Sequence, residues 1–515
     1  MRFFKKNMAL ARLRQALIAI LLIVNAWLAP AWVQAQLLPA LGDGAELSLG
    51  AEREFGERIV AELYRDPDYI ADPVLQEYAQ AMLAALLHAA RERGELTNEM
   101  AERYAWQILL VRDRSVNAFA LPGGFFGLHL GMIAVVATPD ELASVLAHEL
   151  SHVTQRHIAR LIAQEKRQTP LMIGALILGA LVASRSPDAG QAVMMGGSAL
   201  AVQNQLNFSR DMEREADRVG FSLMRPAGYA PQGFVTMFDK LQAANRINDN
   251  GDWPYLRSHP LTSQRIADLH GRLPKGLPPA PPAPLVHAMM AARARVLMRP
   301  GIDAWRRWVV DAQAPELATR SLADRVGART QGALAAVQLQ EWALARRLVA
   351  ALQADVRGDA PGTRQARLMA AELELDAGDA TAALAALGNA GADASARPEM
   401  LLRTRVLLAL GQAAPMAGVL QTWVTDHAHD AAAWQALAQV WHAQGQALRA
   451  VRAEGEAQAA HYDYAGAVDR FRAGQDLAHR STGAQDYIEA SIIDTRLRAV
   501  QSLLAQQTRE RRVDQ

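Results

Sequence analysis

The sequence of 515 residues contains no cysteine. Disulfide scaffolds, cysteine-ligated zinc fingers, iron–sulfur clusters and cysteine nucleophiles are therefore excluded, and any metal must be held by histidine or carboxylate side chains. Aromatic residues make up only 6% of the chain, and the formal net charge is +1. Because binding to nucleic acid usually relies on a basic field with interleaved aromatic side chains, we do not expect nucleic acid as a partner.

What the chain does contain is typical of a globular protein with several domains. Hydrophobic residues make up 51% and charged residues 21%. The length predicts roughly three domains.

Residues 1–35 have the layout of a secretory signal peptide. Basic residues precede an apolar run from Ala16 to Leu28, and Val33 and Ala35 stand at the −3 and −1 positions of a cleavage site. An uncleaved N-terminal anchor is the alternative. An exported chain without cysteine fits a bacterial periplasm, so we predict that location, although the absence of cysteine alone would not show it.

A proline-rich stretch at 273–285, LPKGLPPAPPAPL, divides the remaining sequence. Its prolines disfavour a helix and favour extended polyproline geometry, which is typical of a linker, although a surface loop across one domain is the alternative. We therefore predict one domain over 36–272, a second over 286–500 and a charged C-terminal tail over 501–515.

The first of these domains has a mixed pattern of helix and strand. A short apolar run, Trp106–Val111, predicts a strand, and Asn117–Gly124 (NAFALPGG) predicts an extended segment that ends at a proline and two glycines. Asp140–Leu161 predicts one long helix with Thr138 as its N-cap, and Asp211–Met224 predicts another helix.

The second domain has a repeating helical pattern. Gly378, Gly411 and Gly445 follow apolar helical stretches and lie 33 and 34 residues apart. A helix–turn–helix unit with this period is typical of tetratricopeptide (TPR) repeats, although a non-repeating alanine-rich bundle is the alternative. The predicted fold class is mostly α, with an α+β domain that has a small sheet, followed by an α-helical TPR solenoid.

The sequence His148-Glu149-Leu150-Ser151-His152 is an HExxH motif inside the predicted long helix. Residues i and i+4 share a helix face, so His148 and His152 can hold one zinc ion together, and Glu149 can act as general base on a water molecule. A helix with two surface histidines is the alternative interpretation.

A second helix supplies carboxylates at the same spacing. Glu213 and Asp217 also lie four residues apart. Glu213 can complete a site of two histidines and one carboxylate, and Asp217 can accept a hydrogen bond from a ligand imidazole. Glu215 lies off that face, so we expect it to be solvated or paired with an arginine. His157 is expected to be an ordinary surface histidine.

The motifs HELSH, NAFALPGG and SRDMEREAD resemble those of the metallopeptidase family that includes HtpX and the CAAX prenyl endopeptidases. That resemblance implies one zinc ion per chain, with Glu213 as third ligand and Asp217 as the aspartate of the family's ExxxD motif. The order of signal peptide, peptidase core and TPR repeats is similar to the group of β-barrel assembly-enhancing proteases in this family. It implies the periplasm of a Gram-negative bacterium as the location, protein substrates that include unfolded outer-membrane proteins, and the β-barrel assembly machinery as partner.

Ser258-His259-Pro260, followed by Arg265, resembles a further segment of the same group. The resemblance implies that His259 is a fourth zinc ligand that blocks the site at rest, whereas the alternative is a histidine that only starts a helix. Arg265 is expected to bind substrate or to form a structural salt bridge.

The apolar segment 171–183 is too short to span a membrane. We predict a buried helix, with a mobile plug or a peripheral contact with the membrane surface as alternatives.

The resulting hypothesis is a periplasmic zinc endopeptidase, with its substrate recruited by the TPR domain. Asn117 and Phe119 are predicted to contact substrate along an edge strand. One alternative is a TPR scaffold or chaperone whose zinc site is structural or self-inhibited. The other is a membrane-embedded enzyme, which would need further apolar runs of about 20 residues that the sequence lacks.

Overall fold

The computed structural model describes residues 47–164, 209–246, 253–273, 284–388, 396–480 and 484–513. The chain divides into two compact units, 1–46 and 47–515, and every described residue lies in the second. The predicted signal peptide, the apolar segment 171–183 and all but the ends of the proline-rich stretch lie outside the described residues. Within the described part of the chain, none of the helices combines the length and the apolar character that crossing a membrane requires.

The described part that precedes residue 274 mixes helices with short strands. In chain order its elements are α1 (Leu49–Arg65), β1 (Tyr69–Ile70), α2 (Pro73–Glu92), α3 (Asn98–Arg103), β2 (Gln107–Val111), β3 (Ala118–Leu121), β4 (Phe125–His129), α4 (Leu130–Val135), α5 (Pro139–Thr154), α6 (His157–Gln164), α7 (Arg210–Met224), α8 (Gln232–Arg246), α9 (Tyr255–Ser258) and α10 (Ser263–Arg272). The predicted strand near 106–111 and the extended segment after Asn117 are present as β2 and β3.

The four strands form one sheet in the order β1-β2-β4-β3. β2 and β4 run parallel with Leu109 opposite Gly127, whereas β3 runs antiparallel to β4 with Phe119 opposite Gly127. A Cβ atom at residue 127 would lie only 2.0 Å from the Phe119 ring, so glycine is what lets that ring lie across β4. In this strand order β3 has a neighbouring strand on one side only, so it is an edge strand, as the sequence predicts.

Helix α5 begins as the sequence predicts but ends earlier. The Thr138 side chain accepts a hydrogen bond from the Glu141 amide, and Pro139 occupies the first turn. The predicted single helix to Leu161 is wrong, because α5 stops at Thr154 and Arg156 adopts a positive φ of 53°. The guanidinium of Arg156 contacts Glu52 of α1 at 2.6 Å, which anchors this break.

Helix α7 packs closely across α5. Ser209 caps its N-terminus by accepting a hydrogen bond from the Met212 amide. The helices approach at Gly220, where an added Cβ would lie 3.0 Å from the backbone of Ala147. This close approach brings the first turns of α7 against the C-terminal half of α5.

The described chain from residue 284 onward is helical. Its helices are α11 (Leu285–Leu297), α12 (Ile302–Asp311), α13 (Leu322–Gln338), α14 (Trp342–Asp355), α15 (Ala360–Asp376), α16 (Ala380–Leu387), α17 (Arg397–Ala409), α18 (Met416–Asp426), α19 (Ala431–Ala443), α20 (Ala447–Ala460), α21 (Tyr464–Ala478) and α22 (Ala484–Val513), and Pro315–Thr319 forms a 3-10 turn. The helix α22 continues through most of the segment that we predicted as a charged tail, 501–515.

The glycines that set the predicted repeat end helices. Gly378, Gly411 and Gly445 have φ values of 85°, 68° and 69°, a left-handed conformation that ends a helix without a Cβ clash. At the first of these turns the Asp379 side chain caps the following helix. The mostly α fold class, with a small sheet followed by successive helical hairpins, is thereby confirmed.

The two parts pack against each other through α11. Arg293 contacts the carboxylates of Asp72 and Glu372 at 2.7 Å each, and the Tyr78 hydroxyl lies 2.7 Å from Nδ1 of His287. Apolar side chains of α11 belong to the same buried cluster as those of α2 and α5. The part that precedes residue 274 and the first helical hairpins thus share one core.

Candidate active site

His148 and His152 lie on the buried face of α5. Each is 1% exposed, and their Nε2 atoms are 3.0 Å apart. One helical turn separates the two residues, so their rings point the same way from adjacent turns. The pair forms one side of a closed polar cluster inside an otherwise apolar core.

Helix α7 presents Glu213 to this pair. Its Oε1 lies 3.4 Å from Nε2 of His152, and its Oε2 lies 3.5 Å from Nε2 of His148. Glu213 is 1% exposed, and its Oε2 lies 2.7 Å from the guanidinium of Arg265. That guanidinium also pairs with Asp217, so one cation faces two buried carboxylates, and a further positive charge in the cluster would be stabilised.

His259, which follows the short helix α9, completes the cluster. Its Nδ1 lies 3.0 Å from Oε1 of Glu213 and 3.3 Å from Nε2 of His148, and the residue is 3% exposed. The Tyr255 ring packs on the imidazole at a centroid distance of 4.6 Å. The structure thus brings together all four residues that were predicted as first, second, third and inhibitory ligands.

The four side chains fit a single zinc ion. Each offers one ligand atom, and these atoms all lie within 4.8 Å of one another. A tetrahedral zinc ion with ligand distances of about 2.0–2.1 Å requires ligand atoms about 3.3 Å apart, and the 3.0 Å between Nε2 of His148 and Nε2 of His152 and the 3.3 Å between Nε2 of His148 and Nδ1 of His259 are close to that value. Three imidazoles and one carboxylate are ligands that zinc prefers.

The electrostatics of the cluster match a site built for a cation. Burial opposes a charge on His148, but Asp217 and Glu213 outweigh it and raise the pKa of His148 to about 9. Burial and the neighbouring imidazole hold the pKa of His152 well below its usual range. Burial also disfavours the charged form of Glu213, yet His259 and His148 hold its pKa well below the usual range. The carboxylates of Glu213 and Asp217 therefore face buried imidazole rings that cannot all carry an added proton at the same time.

Glu149 lies between the cluster and the edge strand. Its Oε2 accepts a hydrogen bond from the Ala120 amide of β3 at 3.0 Å. Its Oε1 lies 3.4 Å from Nε2 of His259 and has no hydrogen-bond partner among the described residues. Burial raises the pKa of Glu149, as a general base near neutral pH requires.

Asp217 and Arg265 lie behind His148. Oδ1 of Asp217 is 3.0 Å from Nδ1 of His148, and the guanidinium of Arg265 donates to both Asp217 oxygens at 2.6 and 2.7 Å. The remaining nitrogen of Arg265 donates to the Pro260 carbonyl and lies 2.7 Å from Glu213. Arg265 is 4% exposed, so the structure favours the structural salt bridge over contact with substrate.

Asn117 and Phe119 lie at the start of the edge strand. Asn117 is buried, and its carbonyl accepts a hydrogen bond from the His129 amide. The half-buried Phe119 ring meets the His129 ring edge-on at a centroid distance of 6.1 Å. Their predicted contact with substrate stays a prediction.

The expectation that His157 is a surface histidine is wrong. Its side chain is fully buried, with Nδ1 2.9 Å from Nδ1 of His152 and Nε2 3.1 Å from Oε2 of Glu215. The helix break at Arg156 causes the difference, because a continuous helix would turn residue 157 away from residue 152. Glu215 also pairs with Arg160 at 2.9 Å, as expected for a carboxylate beside an arginine.

Comparison with known proteins is consistent with this geometry. The family described as peptidase family M48 matches residues 79–273, which include α5, α7 and His259. The β-barrel assembly-enhancing protease of Escherichia coli is 30% identical over 444 residues, covering 85% of this chain and 87% of that protein.

Two further relatives match smaller parts of the chain. A putative β-barrel assembly-enhancing protease of Vibrio cholerae is 35% identical over 274 residues, which are 52% of this chain and 53% of that relative. The mitochondrial metalloendopeptidase OMA1 of Schizosaccharomyces pombe is 28% identical over 228 residues, 43% of this chain and 62% of that protein.

Proposed function

The chain belongs to the family of the β-barrel assembly-enhancing proteases within peptidase family M48, and from that premise we propose that it cleaves outer-membrane proteins that fail to assemble. As a member of this family it is a zinc metalloendopeptidase. The proposed location is the periplasm, which the signal-peptide pattern at residues 1–35 supports. The observation that carries the catalytic part of the proposal is the intact HExxH carboxylate, Glu149, beside a complete ligand cluster.

We assign the ligand role to His148, His152 and Glu213. When bound there, a zinc ion polarises the scissile carbonyl and lowers the pKa of a water molecule to about 7. Oε1 of Glu149 is the group placed to take a proton from the attacking water, because the residue is buried and this oxygen lies 3.4 Å from His259 of the cluster. The same oxygen then delivers that proton to the leaving amine.

The edge strand β3 offers a main-chain surface for substrate. Backbone groups alternate along a strand, and the Asn117 carbonyl faces β4. The Ala120 amide instead faces outward, toward Glu149. An extended substrate added along this edge would therefore lie beside the catalytic carboxylate, and its recognition would depend more on backbone shape than on side chains.

We also propose that the helical hairpins recruit substrate. A cavity of about 610 Å³ opens between the β1 side of the sheet and helices α18 to α20. Its wall includes Tyr64, Tyr69, Trp106, Trp423, His427 and His461. Such an aromatic wall, with nearby polar groups, suits an unfolded polypeptide segment. The β-barrel assembly machinery is the proposed partner, by analogy with the relatives' name.

The non-enzymatic alternative, a scaffold with a structural or self-inhibited zinc site, has support from one observation. His259 lies within the ligand cluster, where a catalytic site would keep an open position. A purely structural site would not need Glu149. We therefore propose that His259 marks a closed resting state of an enzyme.

The test of the catalytic proposal is Glu149→Gln. The change keeps the shape of the side chain and leaves all the assigned ligands in place. We expect casein cleavage to fall by about 10²–10⁴, the usual contribution of a general base, with zinc content and thermal unfolding unchanged. Wild-type rates in this variant would refute the assignment of Glu149. A stoichiometric zinc content with no cleavage by either the wild-type protein or His259→Ala would favour the scaffold.

A further inference from the structure

We propose that His157 and Glu215 orient the metal ligand His152 through a hydrogen-bonded chain, which we call the relay: His152, His157, Glu215 and Arg160. This inference rests on the proposed ligand role of His152. The relay fixes the tautomer of that ligand and so contributes to zinc affinity without contacting the metal.

The relay is continuous from the cluster to the protein surface. Nδ1 of His152 is 2.9 Å from Nδ1 of His157, and Nε2 of His157 is 3.1 Å from Oε2 of Glu215. Arg160 donates to the same carboxylate oxygen at 2.9 Å. The two histidines are buried, whereas Glu215 and Arg160 are 29% and 39% exposed.

The chemistry of the groups sets the direction of every hydrogen bond. A carboxylate only accepts, so Nε2 of His157 carries the proton that faces Glu215. In a neutral imidazole the other nitrogen is then bare, and Nδ1 of His157 must accept from Nδ1 of His152. The proton of His152 therefore resides on Nδ1, which leaves the lone pair of Nε2 facing Glu213 and His148.

The same assignment follows from the metal end. A zinc ligand atom must be unprotonated, so Nε2 of His152 can bind only if the proton of the ring resides on Nδ1. That proton needs an acceptor, and Nδ1 of His157 lies within hydrogen-bond distance of it. Both ends of the relay thus require the same tautomer at His157.

The local fold is arranged so that this contact can form. The positive φ of Arg156 ends α5 and starts α6 in a new direction, which turns His157 back toward His152. A non-glycine residue in this conformation is uncommon and costs energy, so the surrounding structure must hold it. The contacts of the Arg156 guanidinium with Glu52 are that support.

The relay gives the second histidine of the motif a positioning partner of its own. Asp217, held by Arg265, lies beside Nδ1 of His148, whereas the partner of Nδ1 of His152 is His157, outside the ExxxD motif. In metal sites, partners of the ligands tune affinity by orienting rings and fixing tautomers. Glu215, which the sequence marks only as a solvated or arginine-paired carboxylate, serves that purpose here.

The test compares two substitutions of His157 by zinc titration against a chromophoric chelator. His157→Phe keeps a ring but offers no acceptor, whereas the amide of His157→Gln can accept from His152 and donate to Glu215. We expect His157→Phe to weaken zinc binding by about 10–100-fold and His157→Gln to stay within about threefold of wild type.

Glu215→Ala supplies a second arm that disturbs the core less, since the side chain is partly exposed. It frees His157 to adopt the other tautomer, so zinc affinity should fall. Asp211→Ala is the matched control on the same helix, because Asp211 is 85% exposed and pairs only with Arg214 among the described contacts. This control should bind zinc as wild type does.

The outcomes separate the relay from the function on which it rests. Wild-type zinc affinity in His157→Phe and Glu215→Ala would overturn the relay while leaving the metallopeptidase assignment intact. Equal losses in the Phe and Gln variants would also overturn it, because packing and not hydrogen bonding would then be responsible. A wild-type protein that binds no zinc would refute the proposed ligand set itself. Thermal unfolding of the zinc-free variants shows whether each is folded, and Glu215→Ala decides the question if His157→Phe is not.

Discussion

Replacing His259 by alanine should raise the rate at which the protein cleaves a general substrate. The imidazole lies among the ligand atoms, with Nδ1 3.0 Å from Glu213 and 3.3 Å from His148. A peptidase needs that position open to water and to the scissile carbonyl. If the proposed closed resting state is right, the chain is active only in the fraction of molecules in which His259 has left the cluster.

The structure allows an estimate of that fraction. The contacts in the structure give a lower limit on the cost of leaving: the interaction of His259 with the charged Glu213, worth about 1.5–3 kcal/mol, and its packing on Tyr255, worth about 0.5–1.5 kcal/mol. A bond from the imidazole to zinc would add to this cost. Because each 1.4 kcal/mol is a factor of ten, a cost of at least about 2 kcal/mol leaves at most about 4% of molecules open. We expect His259→Ala to gain at least about tenfold, after allowing for some loss of order around the cluster.

The assay is casein cleavage by purified protein at a fixed zinc concentration. His270→Ala is the matched control, because His270 lies on the neighbouring helix α10 and is 48% exposed. The double variant His259→Ala with Glu149→Gln must be inactive if the gained activity arises at this site. Activity in His259→Ala equal to or below wild type, with zinc still bound, would refute the closed resting state.

Three further predictions concern the ligands and the packing of the two parts. Changes to the partners of metal ligands typically weaken metal binding by about 10–100-fold, and we expect Glu213→Gln to weaken zinc binding by more than that. Glu215→Gln keeps an acceptor for His157 and should weaken zinc binding far less. A metal titration with the opposite order would show that the wrong carboxylate was assigned. Arg293→Ala should lower the free energy of unfolding in urea by about 3–5 kcal/mol, because it leaves buried carboxylates unpaired, and a change below about 1 kcal/mol would contradict this. Burial lowers the pKa of His287, so the unfolded chain takes up a proton at this residue before the folded chain does as pH falls below about 6.5. The free energy of unfolding of zinc-free wild type should therefore drop between pH 7 and pH 5 by more than that of His287→Gln. Parallel curves of unfolding free energy against pH for the two proteins would exclude the effect.

The sequence predicts those features of the site that depend only on residues close together in the chain. His148 and His152 share a face because any helix places residues i and i+4 together, and the same rule pairs Glu213 with Asp217. The Thr138 cap and the glycines that end the repeat helices also depend only on neighbouring residues. The meeting of the two motif helices was inferred from chemistry, because a shared metal would explain both spacings, and from the resemblance to the metallopeptidase family.

The parts that sequence missed depend on residues far apart in the chain. The break at Arg156 is held by Glu52, a contact across 104 positions that no local pattern reveals. If the helix continued without that break, His157 would be expected at the surface. Tyr255, whose ring packs on that of His259, belongs to no sequence motif. A buried tyrosine is common in protein cores, so nothing in the sequence marks this one.

The position of the aromatic cavity relative to the edge strand bears on which proteins the enzyme can cut. The cavity lies on the β1 side of the sheet, and Glu149 contacts β3 at the opposite edge. Three strand-to-strand steps of about 4.8 Å separate these edges by about 14 Å, which an extended chain spans with about four or five residues. A polypeptide held at both places must therefore supply a longer unpaired stretch, since it also has to occupy the cavity and pair along β3. The strands of a folded β-barrel are all paired and offer no such stretch, whereas those of an unassembled barrel do. If the helical hairpins recruit substrate at this cavity, the spacing itself would direct cleavage to barrels that have not closed.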